Sequence, residues 1–412
     1  MENRVVITGI GLLTPLGLDR ETTWQNLKDG KVGITELTKF SAPEIDVYVA
    51  GQIHDFNTKE YFDHRTARRM DPFTQYAVVA AREAFEQSGL NDTEFNHDRV
   101  NVIVSTGIGG ITTIEASKMD GEKKGYNRIS PFFIPMAIAN MASAAIAMEF
   151  GLHGHASSII TACAGGTDAI GEAYRQIKHG YMDVAITGGA EATITPLCIG
   201  GFAAMRAVST SKDPLSASRP FDINRDGFVS SEGAGILILE SLDHALARKA
   251  PIIAEVVSYA TTNDAYHITA PDPEATQATR AMQECLNFAG LKPTDVDYIN
   301  AHGTSTPLND KIETQVIKNT FGEHAYNVKI SSTKSMLGHA LGGSGGIELA
   351  ATALTIRDQF IHPTMGLKEA DPECDLDYVP GKGQSHQVNI AISNSLGFGG
   401  HNSCIAIKKF NE

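Results

Sequence analysis

Two distant segments of this chain run through the same series of events: an apolar, β-branched strand, a loop of small residues, and then a helical period. In the first, residues 159–161 of Ser157-Ser158-Ile159-Ile160-Thr161-Ala162-Cys163-Ala164-Gly165-Gly166 read as a strand, and Ile170, Ala173, Tyr174 and Ile177 recur at helical spacing until Gly180 ends the element. In the second, residues 328–330 form the strand and Ser331-Ser332-Thr333-Lys334-Ser335-Met336-Leu337-Gly338-His339 the loop, while Ile347, Ala350, Ala351 and Leu354 mark the helix. Strand–loop–helix units of this kind require an α/β fold, and their recurrence suggests two similar halves facing each other. Ligands of open α/β sheets bind beyond the carboxyl ends of the strands, where residues far apart in sequence converge.

Both segments place a reactive side chain at such an end. Cys163 lies at a strand-to-helix elbow, where the unpaired N–H groups and positive end of a helix favour a thiolate and can bind a developing oxyanion. His339 ends the second loop. A third group, His302, follows a short strand in Tyr298-Ile299-Asn300-Ala301-His302-Gly303-Thr304-Ser305-Thr306-Pro307. A lone cysteine can be core filling and a lone histidine structural. Here all three sit in loops rich in Gly, Ser and Thr at strand ends, which favours acyl-transfer chemistry.

Four motifs carry a family likeness: Thr161-Ala162-Cys163-Ala164, Asn300-Ala301-His302-Gly303-Thr304-Ser305-Thr306-Pro307, Lys334-Ser335-Met336-Leu337-Gly338-His339, and Asn394-Ser395-Leu396-Gly397-Phe398-Gly399-Gly400-His401-Asn402. In this order, over nearly the whole length, the chain resembles the β-ketoacyl-acyl-carrier-protein synthases of type II, condensing enzymes of dissociated fatty-acid synthesis. Leu337 stands where many relatives carry Thr, and Gly165-Gly166 replace the commoner Thr-Gly or Ser-Gly; neither change removes a group the chemistry needs.

The resemblance implies an α/β, thiolase-like duplicated fold layered α-β-α-β-α, usually as a homodimer. It implies that Cys163 takes an acyl group, that the Cys163 and Phe398 backbone N–H groups bind the oxyanion, and that His302 and His339 polarise the malonyl thioester. Lys334, with Glu348 as counter-ion, would keep His339 neutral. Thr304 and Thr306 would hold the phosphopantetheine arm, Thr269 and His267 would line the malonyl side, and Phe398 would act as a gate between flexible glycines. Ile108, Cys198 and Phe202 would line the acyl channel. Acyl carrier protein is the implied partner and would dock on a basic rim of Arg65, Arg68, Arg69, Lys123, Lys124, Arg128 and Arg206, the first three sharing one helical face by spacing. Asn127 stands where many relatives have a cation. No cofactor and no metal are implied.

Composition fits. At 412 residues and 42% apolar content the chain can bury a large core. The division falls near residues 245–255, where a new strand over 252–257 begins, giving halves 1–250 with the nucleophile and 251–412 with the histidines. Five cysteines without regular spacing suit a reducing compartment. The start reads directly into a strand rather than a signal peptide, and the apolar stretch 134–148 is too interrupted to span a bilayer, so a cytoplasmic setting without membrane or nucleic-acid partner is expected. The net charge of −14 does not oppose an acidic carrier, because steering follows the local field.

Two decoys are set aside. Gly9-Ile10-Gly11 imitates a dinucleotide loop, but Thr14 replaces the third glycine. Asp222-Ile223-Asn224-Arg225-Asp226 imitates a calcium loop whose twelfth position is Gly233; a turn stabilised by Asp and Asn side chains is the expectation. Competing functions are a thiolase, which needs a second cysteine in the site, a polyketide-type ketosynthase, a cysteine hydrolase, and a catalytically silent carrier-binding partner.

Overall fold

Strands covered on both faces are buried along their whole length, as Val5–Leu13, Val100–Ser105, Val184–Ala192 and Glu232–Ser241 are here. In the computed structural model, which describes residues 2–411, they belong to one mixed sheet of ten strands. The strands are β1 (Val5–Leu13), β2 (Val100–Ser105), β3 (Ala156–Ser157), β4 (Val184–Ala192), β5 (Glu232–Ser241), β6 (Ala254–Asn263), β7 (Tyr298–Asn300), β8 (Lys329–Ser331), β9 (Ile390–Gly397) and β10 (His401–Lys408). Their spatial order is β8-β7-β9-β10-β6-β1-β5-β4-β2-β3.

The order contains a repeat. Outward from the middle, β1-β5-β4-β2-β3 and β6-β10-β9-β7-β8 follow the same path, each with two antiparallel pairings and then two parallel ones. The two sets join where Val5, Val6 and Ile7 pair antiparallel with Val256, Glu255 and Ala254.

Helices α1 (Pro72–Ser88) and α2 (Met141–Phe150) cover the outside of the first set, while α4 (Thr276–Phe288) and α5 (Pro307–Phe321) cover the second. Between the sets run α3 (Gly165–Lys178) and α6 (Ser344–Asp358), which touch each other and both sets of strands. The layers are therefore α-β-α-β-α. Burial explains α6: Ser344 through Ile356 are all buried, so this helix is enclosed on every side rather than amphipathic, and its one buried charge, Glu348, is paired with Lys334.

The N-termini of α3 and α6 meet backbone to backbone. A Cβ on Gly166 would lie 2.8 Å from the Gly346 nitrogen and 2.9 Å from the Gly342 oxygen, and one on Gly345 would lie 2.3 Å from the Thr167 nitrogen. Glycine at these positions lets the loop carrying Cys163 and the loop carrying His339 approach each other.

Several local expectations change. The strand before Cys163 is Ala156–Ser157, not 159–161, because the Val104 N–H donates to Ser143 Oγ (3.0 Å) and the Val104 carbonyl accepts from Ser158 Oγ (2.7 Å), so side chains end the ladder. The strand expected at 252–257 runs instead as Ala254–Asn263. The segment bearing Arg65, Arg68 and Arg69 does not form one helical face: its helix is a single turn, His64–Ala67, capped by Asp63, and Asp71 with Pro72 starts α1. Gly9 and Gly11 lie within β1, where Cβ atoms would collide with the Ala84 and Ala80 carbonyls of α1, so these glycines serve helix–strand packing. The Asp222 turn is held as expected, with Asp222 accepting from the Asn224, Lys368 and Glu369 N–H groups, each at 2.8 Å.

Candidate active site

One cavity of about 590 Å³ opens where both sets of strands present their loops, and it is lined by Cys163, His302, His339, Phe398, Thr304, Thr306, Thr269, Ile108, Phe202 and Arg206, among others. Residues from both ends of the chain thus share one space. Cys163 is the one cysteine among the described residues that lines it; Cys404 is buried within β10.

Cys163 sits in a 3-10 turn, Ala162–Ala164, that runs directly into α3. The residue before it, Ala162, has φ of +50°, a left-handed conformation that a side chain disfavours, and this sharp turn aims the thiol into the cavity. Gly397 covers the elbow: a Cβ there would lie 2.9 Å from the Thr161 oxygen and 3.3 Å from the Cys163 nitrogen. The next N–H, that of Phe398, is close enough to the Cys163 sulfur to favour its thiolate form. Against the expectation of a stabilised thiolate, burial pushes the thiol up to about 11, with Lys334 and the Phe398 N–H pulling the other way. The resting nucleophile is therefore a thiol whose proton leaves during attack.

The two imidazoles stand edge to face, with ring centres 5.4 Å apart. Lys334 lies behind them on a one-turn helix, Lys334–Leu337, which brings its ammonium into the interior at 2% exposure. The ammonium donates to His302 Nδ1 at 3.2 Å, to the His302 carbonyl at 2.8 Å, and to Glu348. Lys334 therefore contacts His302 rather than His339, which refines the sequence expectation. An ammonium only donates, so His302 Nδ1 accepts and its proton resides on Nε2. His339 Nδ1 meets the Ser344 hydroxyl at 2.9 Å, and its Nε2 has no protein partner. With Ser344 donating, the His339 proton also resides on Nε2.

Burial first, and the Lys334 charge second, hold both histidines well below their ordinary value; for His302 the neighbouring His339 adds to this. Burial raises Glu348, while the ion pair with Lys334 opposes the shift. The result is two neutral N–H donors beside one thiol.

The remaining expected residues divide by position. Thr304 and Thr306 share a 3.0 Å hydrogen bond at the cavity wall. Thr269 lies on the wall as well, whereas His267 is exposed and uses Nδ1 to accept from the Thr269 and Ala270 N–H groups at 3.1 and 3.0 Å. Ile108 and Phe202 line the cavity, but Cys198 does not: it is buried in the helix Pro196–Ala204, its N–H bonded to Thr195 Oγ1 at 3.3 Å and its thiol pushed up to about 12 by burial. Arg206 lines the cavity, and Arg65, Arg68, Arg69 and Arg128 are exposed and do not line it. Arg69 stacks over the Phe132 ring at 4.5 Å.

Sequence reasoning did not find the groups that hold the loops. Glu313 of α5 accepts from the His302 N–H (2.6 Å), the Gly303 N–H (2.7 Å) and Asn394 Nδ2 (2.6 Å), and burial pushes it up to about 7. Its signal was an acid in phase with the buried positions Val316, Ile317 and Thr320. Glu191, at the end of the otherwise uncharged β4, is a second case.

Residues 2–245 match the model "Beta-ketoacyl synthase, N-terminal domain" and residues 253–368 match "Beta-ketoacyl synthase, C-terminal domain". The chain is 51% identical over 407 residues to the 3-oxoacyl-[acyl-carrier-protein] synthase 2 of Staphylococcus aureus (strain COL), covering 99% of this chain and 98% of that protein. It is also 51% identical over 410 residues to the protein of the same name from a Synechocystis species, covering 99% of each. Among solved structures, the ishigamide ketosynthase/chain length factor superposes with a TM-score of 0.94 at 33% identity over 100% of both chains. A type II PKS acyl-carrier protein in complex with its ketosynthase gives 0.93 at 34% over 100% of both, and a beta-ketoacyl synthase from Burkholderia phymatum 0.92 at 32% over 99% and 100%. The fold is the thiolase-like one of the ketosynthases.

Proposed function

The chain belongs to the β-ketoacyl synthase family, and from that premise we propose that it condenses malonyl-acyl-carrier protein with an acyl group held on Cys163, giving a β-ketoacyl-acyl-carrier protein in fatty-acid elongation. One observation carries the chemistry: two neutral imidazoles, with Nε2 groups free of the Lys334 and Ser344 bonds, line the same cavity as the thiol.

The Cys163 sulfur attacks the acyl thioester, its oxyanion bound by the Cys163 and Phe398 N–H groups, and the departing carrier thiolate takes the proton. Malonyl carrier then enters, and His302 Nε2–H and His339 Nε2–H donate to its thioester carbonyl. The bond to the carboxylate breaks, carbon dioxide leaves, and the electron pair forms an enolate that the two donors stabilise. The enolate carbon attacks the acyl carbon on Cys163, and collapse of the adduct releases the Cys163 thiolate, which is protonated from solvent. Burial first, and the ammonium of Lys334 second, keep both histidines neutral, and a neutral Nε2–H can serve as the donor this step needs. No cofactor enters this scheme.

The finer assignments are proposals as well. Thr304, Thr306 and Thr269 contact the phosphopantetheine arm and malonyl unit, Ile108 and Phe202 the acyl chain. Acyl carrier protein docks near Arg65, Arg68, Arg69, Arg128 and Arg206; exposed Leu308 and Met205 beside the mouth support apolar contact there. The chain divides into halves 1–250 and 251–412, supported by the repeated strand order. It acts as a cytoplasmic homodimer. Support for the dimer is the edge strand β3 at the end of the sheet, with Ile160 exposed just beyond it.

A thiolase is disfavoured because Cys404 lies outside the cavity. A polyketide-type reading draws on the likeness to such ketosynthases but has lower identity. Incubation with one acyl carrier and excess malonyl carrier tests the choice. Mass spectrometry should find carrier bearing a single two-carbon β-keto extension. Repeated keto extension would support the polyketide reading, and free acid would mean hydrolysis.

A further inference from the structure

Beyond the three reactive side chains, one buried carboxylate joins the two walls that frame the thiol. Glu191 is 0% exposed. Its Oε1 accepts from Thr106 Oγ1 at 3.0 Å and from the Ile108 N–H at 3.3 Å. Its Oε2 accepts from the Gly107 N–H at 2.6 Å and from the Gly342 N–H at 3.0 Å. Three of these donors belong to the loop after β2, whose Gly107 and Ile108 line the cavity; the fourth belongs to the turn after His339, whose Leu341 lines it too.

This turn is strained. Leu341 has φ of +43°, a conformation that a branched side chain adopts only where its surroundings fix it. Gly342, the next residue, is where Glu191 takes hold. The two loops are also in backbone contact, since a Cβ on Gly342 would lie 2.3 Å from the Gly107 nitrogen, and one on Gly107 would lie 2.8 Å from Glu191 Oε2. The carboxylate thus fixes the spacing of the Ile108 and Leu341 side chains, while the histidines are held by other groups: His339 by the Val229 carbonyl and Ser344, His302 by Lys334 and Glu313.

We propose that Glu191 is a positioning residue that clamps the Gly107-Ile108 loop to the Leu341-Gly342 turn and so sets the shape, and the chain-length selectivity, of the acyl side of the cavity. The inference rests on the ketosynthase reading. A carboxylate suits the place because all four partners are donors. The amide of Glu191→Gln presents N–H groups on one side; Thr106 can turn to accept one, but the Ile108 N–H loses its partner and that wall is released.

Single-turnover loading of Cys163 from a series of acyl carriers, and carbon dioxide release from malonyl carrier, separate the two parts of the site. For Glu191→Gln the expected result is a flattened chain-length profile, with loading reduced at least tenfold more than decarboxylation and the loss appearing in KM more than in kcat. Equal loss in both half-reactions, or an unchanged profile, overturns the proposal. Thr106→Val, which removes one of the four bonds, should flatten the profile to a smaller degree, and it decides the matter if the glutamine variant does not fold. Wild-type protein that neither loads nor releases carbon dioxide would refute the ketosynthase reading instead.

Discussion

Replacing Lys334 by Met separates what this ammonium does for folding from what it does for chemistry. Lys334 and Glu348 are each 2% exposed and paired, so removing the cation leaves a carboxylate buried without its counter-charge. Breaking such a pair costs about 3–5 kcal/mol, and protonation of Glu348, already raised by burial, recovers part of this. The chemical effect is separate. Without the 3.2 Å bond from Lys334, His302 Nδ1 can carry the proton and Nε2 ceases to be a fixed donor. Loss of one preorganised donor to a developing oxyanion is worth about 2.7–4 kcal/mol, or roughly 100- to 1,000-fold in rate. Decarboxylation of malonyl carrier by Lys334→Met should therefore fall by that factor, while loading of Cys163 falls much less. The double variant Lys334→Met/Glu348→Gln removes both charges, so its urea midpoint should return most of the way to wild type while decarboxylation stays low. If the double variant regained decarboxylation together with stability, Lys334 would matter only as a counter-ion and the donor argument would be wrong.

Three further outcomes follow from the geometry. Reversing Arg65 and Arg69 to Glu should raise KM for carrier-bound acyl groups with little effect on acyl-coenzyme A, and should flatten the salt dependence, which is set by a Debye length of about 8 Å at physiological ionic strength; an unchanged salt slope argues against this docking patch. His362, buried behind Thr333 and pushed down to about 4, stays neutral in the fold while the unfolded chain takes up a proton below about 6.5, so it removes stability as pH falls and by pH 5 costs about 2 kcal/mol; in urea titrations His362→Gln should lose less stability than wild type between pH 7 and 5, and parallel curves contradict this. Gly166→Ala should push the N-termini of α3 and α6 apart, since its Cβ meets only backbone within 3 Å; a loss of about 1–3 kcal/mol with slower loading is expected, and a neutral variant would mean that the two helices slide freely.

The parts of the site that were legible in the sequence are those set by local chemistry. A thiol after an apolar run, and histidines in Gly/Ser/Thr loops after strands, could be placed at strand ends because strand, loop and helix each follow from nearby residues. Where tertiary contacts decide, the sequence was silent. Ser143 of α2 and Ser158, the residue after β3, take the Val104 backbone groups and so end β3 before residues 159–161. Burial raises the Cys163 thiol, which no local pattern registers. The Arg65 to Arg69 segment was misread as one helix although Pro72, preceded by the capping Asp71, already signalled a new start. Cys198 took its expected role from likeness alone, and it does not line the cavity. Glu191 acts on loops 83 or more residues away, and Glu313 on Asn394 as well as on the His302 loop just before α5, so only their placement among buried positions marked them.

In the proposed mechanism Cys163 carries the acyl group while the two histidines perform decarboxylation without it. Intact-protein and peptide mass spectrometry of wild type and Cys163→Ala after incubation with acyl carrier, with carbon dioxide release from malonyl carrier measured in parallel, tests this directly. The account predicts an acyl mass on the Cys163 peptide of the wild type, none on the variant, and continued carbon dioxide release by the variant. An acyl adduct that persists in Cys163→Ala, or decarboxylation that disappears with the thiol, would contradict it.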